Sequence, residues 1–185
     1  MSEQTKVVTQ NGVDVAAMGE TIGAVKSQPG LAKFRLRASN KWINCGQNRT
    51  RIEGFYGAGE EHSHDKTFEH DADEPKPLLG HDKATSPGEY LLVALASCVS
   101  TSVVYHAAAK GIQIESLEST LEGNIDLHGF LGLSNEIPKG FEDITVKLKI
   151  KSDASKEQLE ELANMSPIAD TVTRPVPVKV DIQIV

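Results

Sequence analysis

The sequence predicts an α+β fold, and three observations carry that prediction. Segments with two-residue apolar alternation come in groups, one long apolar stretch stands alone among them, and short amphipathic segments are scattered rather than alternating with strands. The expected order is three strands, a long loop, a long helix, two strands, two short helices and a closing strand. No internal repeat and no low-complexity segment is evident.

Residues 1 to about 10 are polar and are expected to fray. From Val13 to Lys26, Val15, Met18, Ile22 and Val25 recur at three- and four-residue spacing, the period of an amphipathic helix, and Gln28-Pro29-Gly30 ends it. That sharp ending predicts residues 1–30 as a helical extension and 31–185 as the main domain. Ala32, Phe34, Leu36 and Ala38 alternate with Lys33, Arg35 and Arg37, as in a half-buried strand. Trp42 to Cys45 and Arg51 to Tyr56 read as two further strands, with Gly46-Gln47-Asn48 as their turn. Gly57 to Ala84 is charged, rich in Gly and Pro and nearly free of aliphatic residues, so it reads as a long loop with one strand around Thr67 to His70.

Ser86 to Gly111, S-P-G-E-Y-L-L-V-A-L-A-S-C-V-S-T-S-V-V-Y-H-A-A-A-K-G, reads as the central helix. Ser86 is a good N-cap, Pro87 suits the first helical position and Glu89 completes a capping box. Gly111 stands where a left-handed C-cap belongs. Its apolar residues leave little polar surface, which predicts burial on most sides, and one sheet is too little to provide it. A second copy of the chain is therefore expected against this helix. After it, Leu117 to Leu127 and Ile144 to Ile150 alternate as strands across a Gly-rich turn region. Ser155 to Gln158 opens a short helix with a capping box, Ser166-Pro167 opens another ending near Thr173, and Val176, Val178, Val180, Ile182 and Ile184 form the closing strand.

Composition removes several function classes. Nineteen Lys and Arg against 26 Asp and Glu give a net charge of -7, and no basic run occurs, which argues against nucleic acid and anionic membranes as partners. No apolar run is expected to reach membrane-spanning length, and the N-terminus lacks the apolar stretch of a signal peptide. The two cysteines, Cys45 and Cys98, form neither a disulfide framework nor a thiolate zinc site. The expectation is a cytoplasmic protein without a cofactor.

Cys98, in the middle of the central helix, is the candidate for chemistry. Cysteine often packs as a small hydrophobe, so a functional reading needs a group that favours the thiolate. Glu89 and His106 are each roughly 12–13 Å away along the axis, so an activator must come from another element. Arg49 and Arg51 are the candidates, although a solvated strand arginine is the commoner case. Ser166 sits at a helix N-terminus, where its ordinary role is an N-cap. His62, His64, Asp65, His70 and Asp71 crowd the loop, but their spacing matches no metal motif and no metal is expected. Phosphate-loop, H-E-x-x-H and G-x-S-x-G motifs are absent from the sequence.

The run S-P-G-E-Y-L-L-V-A-L-A-S-C-V-S, the upstream D-x-D-E-P-K-P-L-L-G-H-D and the downstream S-P-I-A-D-T-V-T together resemble the OsmC/Ohr family of organic hydroperoxide reductases. The resemblance covers about residues 31 to 185. It implies an intertwined homodimer with a curved antiparallel sheet around long central helices. It also implies a cysteine that attacks a peroxide, a second cysteine that resolves the sulfenic acid, and an arginine that steadies the thiolate. That arginine would be paired to a glutamate near the start of the long helix.

Carried onto this chain, the resemblance assigns Cys98 to attack and Arg49, with Arg51 second, to the arginine. The resolving position is Ser166, whose hydroxyl cannot form a disulfide. The glutamate position is Gly88, and Glu89 stands one residue on, about a hundred degrees round the helix, better placed for capping. The function implied is a one-cysteine thiol peroxidase in oxidative-stress defence, with an organic hydroperoxide as substrate and a thiol as reductant. Two alternatives stay open: a non-catalytic dimer binding a small apolar ligand at its interface, and a Cys98 that only packs.

Overall fold

The structure is a computed structural model that describes residues 9–184. They form two compact units, one of Thr9 and 14–91, the other of 10–13 and 92–184. The architecture is α+β, as expected.

The chain enters through a hairpin of β1 (Thr9–Gln10) and β2 (Val13–Asp14), so the expectation of fraying up to residue 10 ends too late; residues 1–8 lie outside the described residues. Asn11-Gly12 turns it, with positive φ angles of 53° and 78°, as a type I′ turn requires. The Asn11 side chain donates to the Ile112 carbonyl and accepts from the Ile114 amide, both at 2.9 Å, acting as a short strand partner. Helix α1 (Val15–Ser27) follows with Asp14 as its N-cap, accepting from Ala17 N at 2.9 Å. It packs on the 3-10 turn Pro29–Ala32 and buries no residue completely.

The first unit is built on β5 (Gln47–Gly57). On one edge it pairs antiparallel with β3 (Arg35–Leu36) and then β4 (Ser39–Asn44); on the other it pairs with β6 (Glu60–Ala72). The strand expected over 32–38 is cut to two residues because the 3-10 turn takes its start. The β4–β5 turn falls at Cys45, in the left-handed region at φ 51°, one residue earlier than expected. The expected loop from Gly57 is corrected most: 13 of its residues form β6. Its partners are charges and rings rather than aliphatic side chains, so the usual alternation signal is missing. Arg49 lies opposite Asp71, Arg51 opposite Glu69 and Phe55 opposite His62, the last pair stacked with centroids 5.0 Å apart.

Beyond β6 the chain folds around one buried carboxylate. Asp73 accepts from the amides of Glu74 (2.9 Å), His81 (3.2 Å) and Lys83 (3.2 Å) and from the Gln47 side chain. Burial pushes its pKa up, but the donors, led by the Lys83 amide, outweigh it and hold the group below the ordinary carboxylate value.

Helix α2 (Pro87–Ala109) starts and stops as expected. Ser86 and Glu89 exchange capping hydrogen bonds. At its far end Gly111 is left-handed, with Gly111 N donating to Ala108 O and Ile112 N to Ala107 O, a Schellman motif. α2 passes from the first unit to the second after Leu91. One expectation is corrected here. By length and composition α2 is long and apolar enough to cross a membrane, because its alanines and serines cost little hydropathy. Within one chain Leu95, Val99, Ser102, Val103, Ala107 and Ala108 are buried, while Val93 and Tyr105 are more than half exposed.

In the second unit β7 (Ile114–Ile125) and β8 (Phe141–Ser152) form a long antiparallel hairpin, with the short α3 (Leu127–Phe130) at its tip. Helices α4 (Lys156–Ala163) and α5 (Pro167–Thr173) follow, the first with the expected Ser155–Gln158 capping box. The core joins Val103 and Ala107 of α2 to Leu162 of α4, over Ile114, Leu117, Leu148 and Ile150 of the hairpin. The closing strand does not form: no strand is assigned after Thr173 among the described residues, and Val178 is 85% and Ile182 80% exposed. The alternation suits a strand, but a strand needs an edge to pair with.

Candidate functional site

The two arginines singled out from the sequence lie two apart on β5 and so share a face of the sheet. With Ser39, Asn40, Lys41, Trp42 and Ile43 of β4 they line an open groove of about 600 Å³. Cross-strand register sets their company: Lys41–Arg49–Asp71 form one row and Ser39–Arg51–Glu69 the next.

Arg49 is gripped along one edge of its guanidinium. Its Nε donates to Asp71 Oδ1 at 2.6 Å and its Nη2 to Asp71 Oδ2 at 2.8 Å, a bidentate pair. Glu69 is farther, 3.7 Å from Arg49 Nη1, and belongs mainly to Arg51, at 2.8 Å from Nε and 2.7 Å from Nη2. The hydrogen bond to Asp71 raises the Arg49 pKa above arginine's ordinary value, and the same bond holds the Asp71 carboxyl below its own. Asp71 is itself tied down: its carbonyl accepts a hydrogen bond from the Tyr90 hydroxyl, in the first turns of α2, at 2.7 Å.

Glu89 is committed elsewhere. Its carboxylate accepts from Ser86 N at 2.8 Å and Ser86 Oγ at 2.9 Å, and these bonds, the amide first, lower its pKa. It makes no ion pair among the described residues.

Cys98 is a free, partly buried thiol in α2, within the second unit. Leu95 and Val99 beside it and Ser102 one turn on are buried. Ser166, in the same unit, is 1% exposed and caps α5, accepting from Ala169 N at 3.2 Å. The structure thus brings Arg49 and Arg51 together and holds Glu89 in their unit, while Cys98 and Ser166 belong to the other. Cys45 belongs with the arginines; its Sγ lies 3.2 Å from the Leu79 carbonyl oxygen and it is exposed.

The histidines stack rather than converge. His62 and His64 lie against Phe55, His64 also meets Phe68 edge-on, and His70 meets Tyr90 edge-on. Among the described residues no three His, Cys, Asp or Glu side chains are grouped to hold a metal ion. Two residues escaped sequence reasoning. The sequence offers Asp71 only among candidate metal ligands, and nothing in it singles out Tyr90. The matching spacing of Arg49-x-Arg51 and Glu69-x-Asp71 was the available signal, legible once β6 is a strand.

Comparison with known proteins gives one family. The family model described as OsmC-like protein matches residues 80–181. No curated protein matches. Among solved structures, an OsmC-like protein from Mycoplasma pneumoniae is similar at 19% identity with TM-score 0.55, over 75% of this chain and 87% of its own. A Legionella pneumophila structure, described as organic hydroperoxide resistance protein OsmC, is similar at 18% identity with TM-score 0.52, over 75% and 88%. At these identities the likeness concerns the fold.

Proposed function

The chain belongs to the OsmC-like protein family, and on that premise we propose that it is a thiol-dependent peroxidase that reduces organic hydroperoxides in oxidative-stress defence. The observation that carries the reading is Cys98: a free, partly buried thiol in α2, inside the matched region. The Cys98 thiolate attacks one peroxide oxygen, the O–O bond breaks, and the departing alkoxide takes a proton to leave as the alcohol. Sulfur is left as sulfenic acid. Ser166 holds no thiol, so two external thiols, or one dithiol, return Cys98 to the thiol and leave as a disulfide with one water. We assign Arg49 the role of the cation that favours the thiolate, with Arg51 second.

The working form in this reading is a homodimer. The exposed, alternating 176–184 segment and the exposed apolar residues of α2 support it, since both need a surface that one chain does not supply. Two unpaired cysteines suit a reducing compartment, and the cytoplasm is the proposed location.

The test is stopped-flow consumption of cumene hydroperoxide with dithiothreitol by wild type, Cys98→Ser and Cys45→Ser. Cys98→Ser is expected to abolish turnover and Cys45→Ser to keep it. Equal rates in wild type and Cys98→Ser end the enzyme reading.

A further inference from the structure

The peroxidase reading needs a cation held in a defined orientation, and Arg49 is nearly half exposed, where a single contact would leave its guanidinium free to rotate. We infer that Asp71 is the positioning residue of this site: its carboxylate orients Arg49, and Tyr90 anchors Asp71. This inference deepens the proposed function and rests on it.

Each charged group around Arg49 has a distinguishable part. Asp71 grips it through two nitrogens, at 2.6 and 2.8 Å, which fixes the plane of the guanidinium as well as its place. Glu69 sits at 3.7 Å and is shared with Arg51. Lys41, opposite on β4, has the same sign as Arg49 and orients nothing. Glu89 of α2 is used by Ser86. Of the carboxylates available, Asp71 alone offers a fork. It also has a fixed base, because the Tyr90 hydroxyl holds its carbonyl at 2.7 Å and so ties β6 to the start of α2. His70, beside Asp71 on β6, meets the Tyr90 ring edge-on at 6.2 Å and completes that contact.

The experiment uses the full chain and four variants: Asp71→Asn, Arg49→Gln, the double variant and Glu69→Gln. Two readouts are taken: kcat/KM for cumene hydroperoxide, and the pH profile of Cys98 alkylation by iodoacetamide, resolved from Cys45 by mass spectrometry. Asp71→Asn is expected to lower kcat/KM about tenfold, the scale of one charge-assisted hydrogen bond, and to move the alkylation profile to higher pH. The double variant should be no worse than Arg49→Gln alone, because Asp71 acts through Arg49. A merely structural residue would not move the profile. The inference is overturned if Asp71→Asn keeps the wild-type profile, if the two losses multiply, or if Glu69→Gln loses as much. A Cys98-dependent enzyme indifferent to Asp71→Asn removes this inference and leaves the peroxidase; turnover by Cys98→Ser removes both.

Discussion

Asp73 shows how much one side chain organises in this chain. Three backbone amides and one side-chain amide converge on it, and its own amide donates to Thr85 O, so the segment from Glu74 to Thr85 is drawn around it. Its folded pKa lies below the ordinary value of 3.8. At neutral pH the carboxylate is charged in both folded and unfolded chains, and its stabilisation is complete. As pH falls below 3.8 the unfolded chain takes up the proton first, and stability is lost until the folded value is passed. Asp73→Asn should therefore lower the thermal midpoint at pH 7 by roughly 5 °C and flatten the loss of stability in acid. Thermal melts between pH 7 and pH 3 check this; a variant melting with wild type throughout would show the cluster to be idle. The carboxylate was legible as a residue but not as a hub, since its donors are backbone amides 1 to 10 residues on and a side chain 26 residues back.

Among the elements, β6 is the one that sequence patterning missed and the site depends on. Its pairing with β5 shifts register between Ile52 and Gly54, and at Gly54 the β6 backbone leaves no room for a side chain: a Cβ there would run into the His62 carbonyl oxygen. Gly54→Ala is expected to destabilise the fold by about 1–3 kcal/mol, measured by urea denaturation; an unchanged midpoint would mean the strands can part at little cost. The helices were read far more accurately. α2, α4 and α5 begin at Ser86, Ser155 and Ser166, each a cap visible in the sequence, because helix ends are settled by side chains within three or four residues. A strand such as β6 is settled by partners up to 24 residues away, as Asn48 opposite Ala72 shows.

For the whole molecule, the unpaired C-terminal segment is the telling feature. Val176, Val178, Val180, Ile182 and Ile184 keep strict alternation, and all are exposed. In the proposed homodimer this segment finds its partner edge. Light scattering should give twice the chain mass of 20.0 kDa at tens of micromolar, and Val178→Lys with Val180→Lys should halve it. A wild-type monomer under those conditions would end the dimer proposal. The sequence by itself determined the α+β class, the family, the long helix with its caps and the thiol at its middle, because these reside in local spacing and short motifs. Tertiary structure decided that Arg49 is held by Asp71 rather than by Glu89, and that a charged stretch forms β6. Both depend on cross-strand register, which places residues distant in the chain side by side and leaves no periodic apolar signal in the residues themselves.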